Sequence, residues 1–269
     1  MSDLSTFVSG FDGVALKPTE LDVASVDLAG AERVIVDYEG REHVPGPEVL
    51  ADVARETDLF VTTPVRADGF DPLGDDHLSR ALPESVGRVL VAGNPAYLTD
   101  TERARAIAPR IGAARERAPA AWVGTEGVGR IALAAGGTQF ELLAPTTVRE
   151  VRALRAAGFE GTLAVYAPVV RSADEDALLD ALGAYVARRG SVAAALDDAR
   201  PEGVRTAPDG MRTDAGVSGA PRSVLLSAIE RFALVGEDED IDERIGELRS
   251  VGVDTIVGYP ARGPAALGR

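Results

Sequence analysis

A glycine-rich run is the clearest stretch of this sequence that could bind a charged group. Residues 124 to 130 read Gly-Thr-Glu-Gly-Val-Gly-Arg and lead directly into the apolar segment Ile131 to Ala135. Glycine lets the backbone approach an anion closely, and the N–H groups at a helix start attract negative charge. Gly127, Gly129 and Arg130 are therefore candidates to contact a cofactor phosphate. The run lacks the lysine of a Walker loop, and an ordinary glycine-rich turn explains it equally well.

A second set of candidates is polar and suited to hydrogen bonding. Its members stand at or just after the carboxyl ends of short apolar runs, where an α/β barrel places its binding and catalytic groups. They are Lys17, Asp37, Tyr38, Thr62, Thr63, Asn94, Tyr97, Glu126 to Arg130, Tyr166, Tyr259 and Arg262. The set contains no closely spaced pair of acidic residues, so the spacing does not indicate glycoside hydrolysis.

Other chemistries are limited by what the sequence does not contain. With no cysteine, the chain has no thiolate nucleophile, disulfide or cysteine-based metal site. Its two histidines, His43 and His77, stand apart in loop-like segments rich in Pro, Gly and Asp. We therefore expect no metal centre, and a Ser-His-Asp triad would have to use one of these two residues.

The elements that must position these residues alternate between strand and helix. Eight apolar runs predict parallel strands that are covered on both faces. They are Gly13 to Pro18, Arg33 to Tyr38, Leu59 to Pro64, Arg88 to Asn94, Ala121 to Thr125, Gln139 to Ala144, Thr162 to Ala167 and Thr255 to Tyr259. A length of 269 residues suits one eight-unit barrel. The sequence thus predicts a single α/β domain, a (β/α)8 TIM-type barrel spanning residues 1 to 269.

Helix signals separate the predicted strands. Three pairs match the capping box, namely Thr99 with Glu102, Thr147 with Glu150, and Ser172 with Glu175. In the last helix, Ile241, Ile245 and Leu248 share one face. The exception is Leu196 to Arg222, which is rich in Pro and Gly and has no apolar period. We expect that segment to be irregular and mobile.

Composition limits the partners of the protein. The formal net charge is −15, and Lys17 is the only lysine among 28 cationic residues. An acidic chain is repelled by nucleic acid and by anionic membrane surfaces, so we expect neither as a partner. Residues 1 to 10 do not resemble a secretory signal, and no run is apolar enough to span a membrane. We expect a protein of a high-salt cytoplasm that acts on a small molecule; a homo-oligomer stays open.

Several segments resemble the luciferase-like monooxygenase family, in particular its deazaflavin-dependent branch that includes methylenetetrahydromethanopterin reductase. Phe232 to Ile241 and Gly252 to Pro260 look like the closing helix and strand of that family. Pro47 to Thr57 and Leu59 to Val65 are similar to its second helix and third strand. Two further segments follow in the same order, Ser85 to Asn94 and Val123 to Gly137.

The resemblance implies a flavin or deazaflavin ring, FMN or coenzyme F-420, in the barrel mouth. Thr62 and Thr63 fall where the family has a strained bulge behind the ring, and Asn94 falls at the end of the fourth strand. Asp37 and Tyr38 stand where family members commonly show an Asp-His pair. Gly127 and Gly129 fall at the glycine turn that can contact phosphate.

Three hypotheses follow from the sequence. The first is an oxidoreductase that transfers hydride to or from bound coenzyme F-420 or FMN, the cofactor supplying the redox chemistry. The second is a catalytically degenerate barrel that acts as a binding protein, because Tyr38 replaces the family's histidine and the chain is short between the fourth and fifth strands. The third is a barrel enzyme acting on a small phosphorylated metabolite.

Overall fold

The computed structural model describes residue 7, residues 10–199 and residues 212–261. Nine strands occur in this part of the chain. They are β1 (Gly13–Leu16), β2 (Arg33–Val36), β3 (Asp58–Pro64), β4 (Gly87–Val91), β5 (Trp122–Gly124), β6 (Gln139–Leu142), β7 (Leu163–Arg171), β8 (Leu234–Gly236) and β9 (Thr255–Pro260).

The strands form one closed parallel barrel. Each of β1 to β6 pairs with its neighbour, β6 pairs with β7, β7 with β9, and β9 with β1. The ring therefore contains eight strands, and these are the eight strands that the sequence predicts. The predicted (β/α)8 fold is confirmed. The short strand β8 was not predicted; it lies outside the ring and pairs with the far end of β7.

Helices surround the barrel between the strands. The described residues contain α1 (Pro47–Val53), α2 (His77–Ala81), α3 (Asp100–Arg103), α4 (Ile107–Arg117), α5 (Gly129–Ala135), α6 (Thr147–Ala156), α7 (Glu175–Ala187), α8 (Gly190–Asp198), α9 (Ala220–Phe232) and α10 (Asp238–Ser250). None of these helices combines the length and the apolar character needed to cross a membrane.

The predicted helix starts were correct in one case of three. Thr99 and Glu102 form the predicted capping box at α3. The other two boxes are wrong, because a different residue is the N-cap in each case, Thr146 at α6 and Asp174 at α7. Thr147 is the first residue of α6, and its hydroxyl accepts a hydrogen bond from the Ala144 N–H instead. At α7 the cap is Asp174, which accepts from the Ala177 N–H.

The segment that was expected to be irregular is helical at both ends. Leu196 belongs to α8 and Arg222 to α9. Residues 212–219 run alongside α7, where Asp180 accepts a hydrogen bond from the Ala215 N–H at 2.8 Å. Residues 200–211 lie outside the described part of the chain.

Alternation along the strands divides the core into an inner and an outer set. Val14, Val34 and Leu59 belong to an outer cluster together with the buried faces of α1 and α10. The residues next to them on each strand point into the barrel. The inward set is Ala15, Ile35, Phe60, Val89, Trp122, Phe140, Ala164 and Val257.

The amino end of the barrel interior is filled by aromatic rings. The rings of Phe60 and Trp122 lie 4.6 Å apart, and Trp122 and Phe140 lie 5.9 Å apart. The Arg33 guanidinium stands 5.2 Å from the Trp122 ring on this side. Binding groups are therefore left to the carboxyl end, as in other barrels of this type.

The helices α7, α8 and α9 lie at that carboxyl end. Leu182, Leu225 and Phe232 from these helices belong to the same apolar cluster as Tyr166 and Tyr259 of the barrel. Arg189, which follows α7, pairs with Glu126 after β5 at 2.8 Å. These helices therefore cover part of the mouth of the barrel.

Candidate active site at the barrel mouth

One inward side chain from each ring strand defines the mouth of the barrel. Each stands two residues beyond a member of the inward set, so it points to the same side of its strand. The eight are Lys17, Asp37, Thr62, Val91, Gly124, Leu142, Tyr166 and Tyr259. Lys17, Asp37, Val91 and Leu142 keep part of their surface exposed, whereas the other four are buried.

In the polar part of the mouth, side chains at the ends of β1, β2, β7 and β9 contact one another. The Tyr166 hydroxyl donates a hydrogen bond to Asp37 Oδ2 at 2.9 Å. The rings of Tyr166 and Tyr259 stack with centroids 6.1 Å apart and an angle of 16° between their planes. Lys17 Nζ lies 3.9 Å from the centroid of the Tyr259 ring. Four strand ends thus bring a carboxyl, an ammonium and two phenols together.

Asp37 is the titratable centre of this group. Burial raises the pKa of its carboxyl from 3.8 to about 6. Lys17 and the Tyr166 hydrogen bond oppose that shift, while Glu39 and Glu20 add to it through repulsion. A carboxyl whose pKa lies near neutrality can both accept and return a proton, which is what general acid–base catalysis requires.

Two further carboxylates hold the rim on this side. Glu20 accepts the Tyr259 hydroxyl hydrogen bond at 2.6 Å. Glu39 is buried and accepts from the Thr19 N–H at 3.0 Å, and the Tyr97 hydroxyl lies 3.5 Å from its Oε1. These contacts fix the loops that follow β1 and β2.

The tyrosines of the mouth act as hydrogen-bond donors. Burial raises the pKa of the Tyr166 hydroxyl well above its usual value, and the Asp37 charge raises it further. Burial, followed by the hydrogen bond to Glu20, raises the pKa of Tyr259. The pKa of Tyr97 is raised by burial and by Glu39. All three phenols therefore keep their protons at neutral pH.

The opposite side of the mouth is apolar. Val91 and Leu142 are half-buried and pack against the apolar cluster that contains the inward set, as does Tyr185 from α7. Arg189 lies over the Tyr185 ring, with its guanidinium carbon 4.5 Å from the centroid. A planar ligand would therefore meet aliphatic and aromatic groups on one side and ionisable groups on the other.

The predicted site residues on β2 and β3 differ in direction. Asp37 points into the mouth, whereas Tyr38 points outward and packs edge-on against Phe70 at 5.5 Å. Thr62 is buried, and its hydroxyl accepts a hydrogen bond from the Tyr38 N–H. Thr63 is buried and donates to the Val89 carbonyl at 3.3 Å.

The bulge implied for Thr62 and Thr63 is absent from the described strand, so that expectation is wrong. The pairing of β3 with β4 runs one to one from Phe60 with Gly87 to Pro64 with Val91. An unbroken register leaves no extra residue in either strand. The two threonines therefore support the strand end through ordinary hydrogen bonds.

The remaining predicted residues lie around the rim. Asn94 is exposed, and its side chain accepts from the Ala96 N–H at 2.9 Å, which caps a short 3-10 helix. Gly127 has a φ of 68°, which favours glycine, and Gly129 begins α5. A Cβ added at either glycine would meet no atom within 4 Å. Arg130 is exposed, and Arg262 lies outside the described residues.

Among the described residues, no group of three or more histidine or acidic side chains is placed to hold a metal ion.

The comparisons with known proteins agree with this architecture. A family model described as a family of unknown function (DUF7388) matches residues 7–267. The chain belongs to DUF7388. No curated protein matches it.

Solved structures similar to this DUF7388 chain share its fold. An F-420-dependent secondary alcohol dehydrogenase, in complex with an F-420–acetone adduct, aligns with a TM-score of 0.54 and 12% identity. That alignment covers 93% of each chain. The apo form of a protein named MsnO8 aligns with a TM-score of 0.55 and 14% identity over 96% of this chain and 95% of the other. At 12% and 14% identity, these likenesses show a shared fold.

Sequence reasoning selected Asp37 but missed the group around it in this DUF7388 chain. Lys17, Tyr166 and Tyr259 were recognised as strand-end residues without a common site. Glu20 and Glu39 were not selected, because neither is an inward residue of a predicted strand. Two signals could have helped, namely the inward alternation from Ala15 to Lys17 and the fact that Lys17 is the only lysine.

Proposed function

We propose that this protein is a luciferase-like oxidoreductase that transfers hydride between a small molecule and a flavin-type ring bound at the barrel mouth. The observation that carries the proposal is the two-sided mouth, where Asp37 and Lys17 face the partly exposed apolar groups Val91 and Leu142. The likeness of fold to an F-420-dependent enzyme over nearly the whole chain supports the same choice.

The donor set of the mouth fits a ring such as that of coenzyme F-420 or FMN. A ring of this kind has flat apolar faces and polar edges, so Val91, Leu142 and Tyr185 would contact a face. Lys17 and the buried phenols would meet polar atoms at an edge. When bound, the ring supplies two-electron hydride chemistry.

The phosphate of either cofactor would lie at the glycine turn. Gly127 and Gly129 leave open space above their backbone, and Arg130 is exposed beside them. Glu126 is neutralised by Arg189 at 2.8 Å, which reduces the repulsion that a phosphate would meet there. Gly127, Gly129 and Arg130 remain our proposed phosphate contacts.

The other predicted residues support the site indirectly. Thr62 would form part of the floor beneath the ring, and Thr63 supports the end of β3 through its bond to the Val89 carbonyl. Asn94 caps the short helix that carries Tyr97 toward Glu39. Tyr38 fixes the path of the chain after β2 through its contact with Phe70. We propose that these residues position the cofactor pocket.

One observation favours the degenerate barrel as a second candidate. The side chains of Tyr166 and Tyr259 lie in the mouth and are 5% and 6% exposed. Bulky side chains at the strand ends are what a barrel that has lost its cofactor would show. A binding experiment separates the two candidates.

The test is titration of the purified protein with oxidised coenzyme F-420 and with FMN in high salt, followed by fluorescence quenching of the ring. We expect saturable binding of one of them, and we expect Leu142→Trp to weaken it at least tenfold by filling the apolar side. Leu133→Trp is the control, because Leu133 is exposed on α5. If neither compound binds to folded protein, the oxidoreductase proposal is wrong and the degenerate barrel remains.

A further inference from the structure

The only lysine of the sequence occupies the mouth of the barrel. All 27 other cationic residues are arginine, and Lys17 is the single exception. Arginine presents a large planar fork, whereas lysine presents a compact charge with three donors that can turn toward one small oxygen. At this position the ammonium lies against the Tyr259 ring and beside Asp37. A compact donor is therefore available where a small ligand would enter.

Asp37 has one oxygen available to a ligand. Among the described residues, Tyr166 is the hydrogen-bond partner of its side chain, and the bond is made to Oδ2. The other oxygen, Oδ1, belongs to a carboxyl that is partly exposed at the mouth. The hydrogen bond fixes the plane of the carboxyl and leaves Oδ1 for proton exchange.

We propose that Asp37 is the catalytic residue that exchanges a proton with a hydroxyl or carbonyl oxygen of the substrate, that Lys17 binds the same oxygen, and that Tyr166 is a positioning residue. The assignment deepens the proposed function and relies on it for the hydride acceptor. It gives the proton-handling role to Asp37, because Tyr38 packs against Phe70 outside the mouth.

The transfer balances as an alcohol oxidation. The O–H bond of the substrate breaks, and its proton goes to Oδ1 of Asp37. The C–H bond would break with its electron pair, and a bound deazaflavin or flavin would supply the hydride-accepting chemistry. The alcohol would thereby lose two electrons and become a carbonyl compound. In the reverse direction the Asp37 carboxylic acid returns the proton to the carbonyl oxygen.

The charges around Asp37 favour a neutral substrate. Lys17 and Glu20 face it from the end of β1 and the loop that follows, Glu39 faces it from the end of β2, and Tyr166 faces it from β7. Two carboxylates therefore stand beside one ammonium. A substrate bearing a carboxylate or phosphate near the reacting carbon would be repelled, whereas a neutral alcohol or ketone would not.

The single lysine makes a direct test possible without cofactor. Protein labelled with 13C at lysine Cε gives one signal, because only Lys17 carries the label. In the protein without cofactor we expect this signal to titrate with a midpoint near pH 6, the pKa of Asp37. Asp37→Asn should abolish the inflection. Tyr166→Phe should move it to higher pH, because the hydrogen bond that stabilises the carboxylate is lost.

The control variant is Glu84→Gln, an exposed position before β4, which should leave the titration unchanged. 2-Propanol and acetone are the ligand probes, and each should shift the Lys17 signal saturably, whereas acetate should not. An unchanged Lys17 signal between pH 4.5 and 8, or equal shifts with acetate and 2-propanol, would overturn the assignment even if coenzyme F-420 or FMN binds.

The two proposals fail separately. If neither cofactor binds but the Lys17 signal follows the titration of Asp37 and responds to 2-propanol, the oxidoreductase proposal fails and the assignment of the oxygen-binding group stands. If a cofactor binds and turnover is observed, Asp37→Asn should lower kcat at least 100-fold with little change in KM. An unchanged kcat would contradict the catalytic role of Asp37.

Discussion

Asp37 lowers the stability of the folded protein at neutral pH, independently of any role in catalysis. Burial disfavours its ionised form, and the neighbouring Glu39 and Glu20 add to that effect. The folded protein therefore binds the Asp37 proton more tightly than the unfolded chain does. For an acid of this kind, stability is lost as pH rises from the unfolded pKa of 3.8 through the folded pKa of about 6. At neutral pH the native carboxylate lowers the free energy of unfolding.

We expect Asp37→Asn to stabilise the protein at pH 7.5, because asparagine cannot ionise and can still accept the Tyr166 hydrogen bond. The shift from 3.8 to about 6 sets a ceiling of ~3 kcal/mol, and partial solvation reduces the gain to about 1 to 2 kcal/mol. Chemical unfolding in high salt measures it. The gain should shrink at pH 4.5, and an equal gain at both pH values would argue against the raised pKa.

The sequence predicted single site residues, but it did not predict contacts between residues that are far apart in the chain. Strand-end logic selected Asp37 because it follows an apolar run. The same logic selected Tyr38, which the two-residue period of a strand turns to the other face. The bond from Tyr166 to Asp37 joins residues 129 apart in sequence. Such a contact depends on how the barrel closes, so spacing in the sequence does not reveal it.

At the scale of elements, the cover over the mouth depends on the close packing of residues 212–219 against α7. A Cβ added at Gly183 would lie 1.7 Å from the Thr213 carbonyl oxygen, which is a backbone atom. The segment 212–219 is also tied to α7 by the bond from the Ala215 N–H to Asp180. Glycine at this position lets the segment lie directly on the helix.

We expect Gly183→Ala to lower the free energy of unfolding by about 1 to 3 kcal/mol, because the backbone of residue 213 must move. Hydrogen exchange at the Ala215 amide should accelerate at the same time. Gly246→Ala is the matched control within α10, where an added Cβ meets no atom within 4 Å. That variant should gain about 0.5 to 1 kcal/mol from helix propensity. Equal effects at the two glycines would contradict the close contact.

A second titratable pair links β6 to α6. Burial, together with repulsion by Glu150 and a hydrogen bond shared with it, raises the pKa of Glu141 from 4.5 to about 7. The native state again holds the proton more tightly, so stability should fall as pH rises from about 4.5 to about 7.

We expect Glu141→Gln to remove this pH-dependent loss and to stabilise the protein by about 1 to 2 kcal/mol at pH 8. At pH 4.5 the gain should be much smaller. Chemical unfolding at the two pH values measures the difference. Glu116→Gln on α4 is a control, because Glu116 is exposed. If both variants respond alike at the two pH values, the pairing of Glu141 with Glu150 does not affect stability.

Elements were easier to predict than the residues that cap them. All eight ring strands were found because each forms an apolar run that is buried on both faces. Strand β8 has three residues and one row of pairing, so it leaves almost no periodic signal. The cap at Ser172 was wrong because Asp174 competes for the same helix start, and the choice between them depends on the backbone after β7.

For the whole molecule, the excess of negative charge makes stability depend on the salt concentration. The chain carries 43 acidic and 28 basic residues, so repulsion among carboxylates acts against the compact state at low ionic strength. Part of the charge is compensated locally, as at buried Asp71, which pairs with Arg110 at 2.9 Å and Arg105 at 3.3 Å. Exposed carboxylates without such contacts respond to salt instead.

We expect added KCl to raise the melting temperature, and most of the rise to occur below about 1 M, where the screening length has already fallen to ~3 Å. A triple variant, Glu56→Gln, Glu160→Gln and Glu230→Gln, tests the cause, because all three residues are exposed. It removes three of the 15 excess negative charges. The variant should melt about 2 to 4 °C higher than the parent in 0.2 M KCl and at the same temperature in 2 M KCl.

Arg152→Gln removes an exposed positive charge and should act in the opposite direction, by a smaller amount. A higher melting temperature for the triple variant and a lower one for Arg152→Gln are expected only if repulsion among carboxylates limits stability at low salt. If KCl stabilised the protein by strengthening apolar burial, the parent and the triple variant would rise in parallel up to 2 M and keep a constant difference. A converging pair of curves therefore identifies screening as the cause, and a parallel pair rejects it.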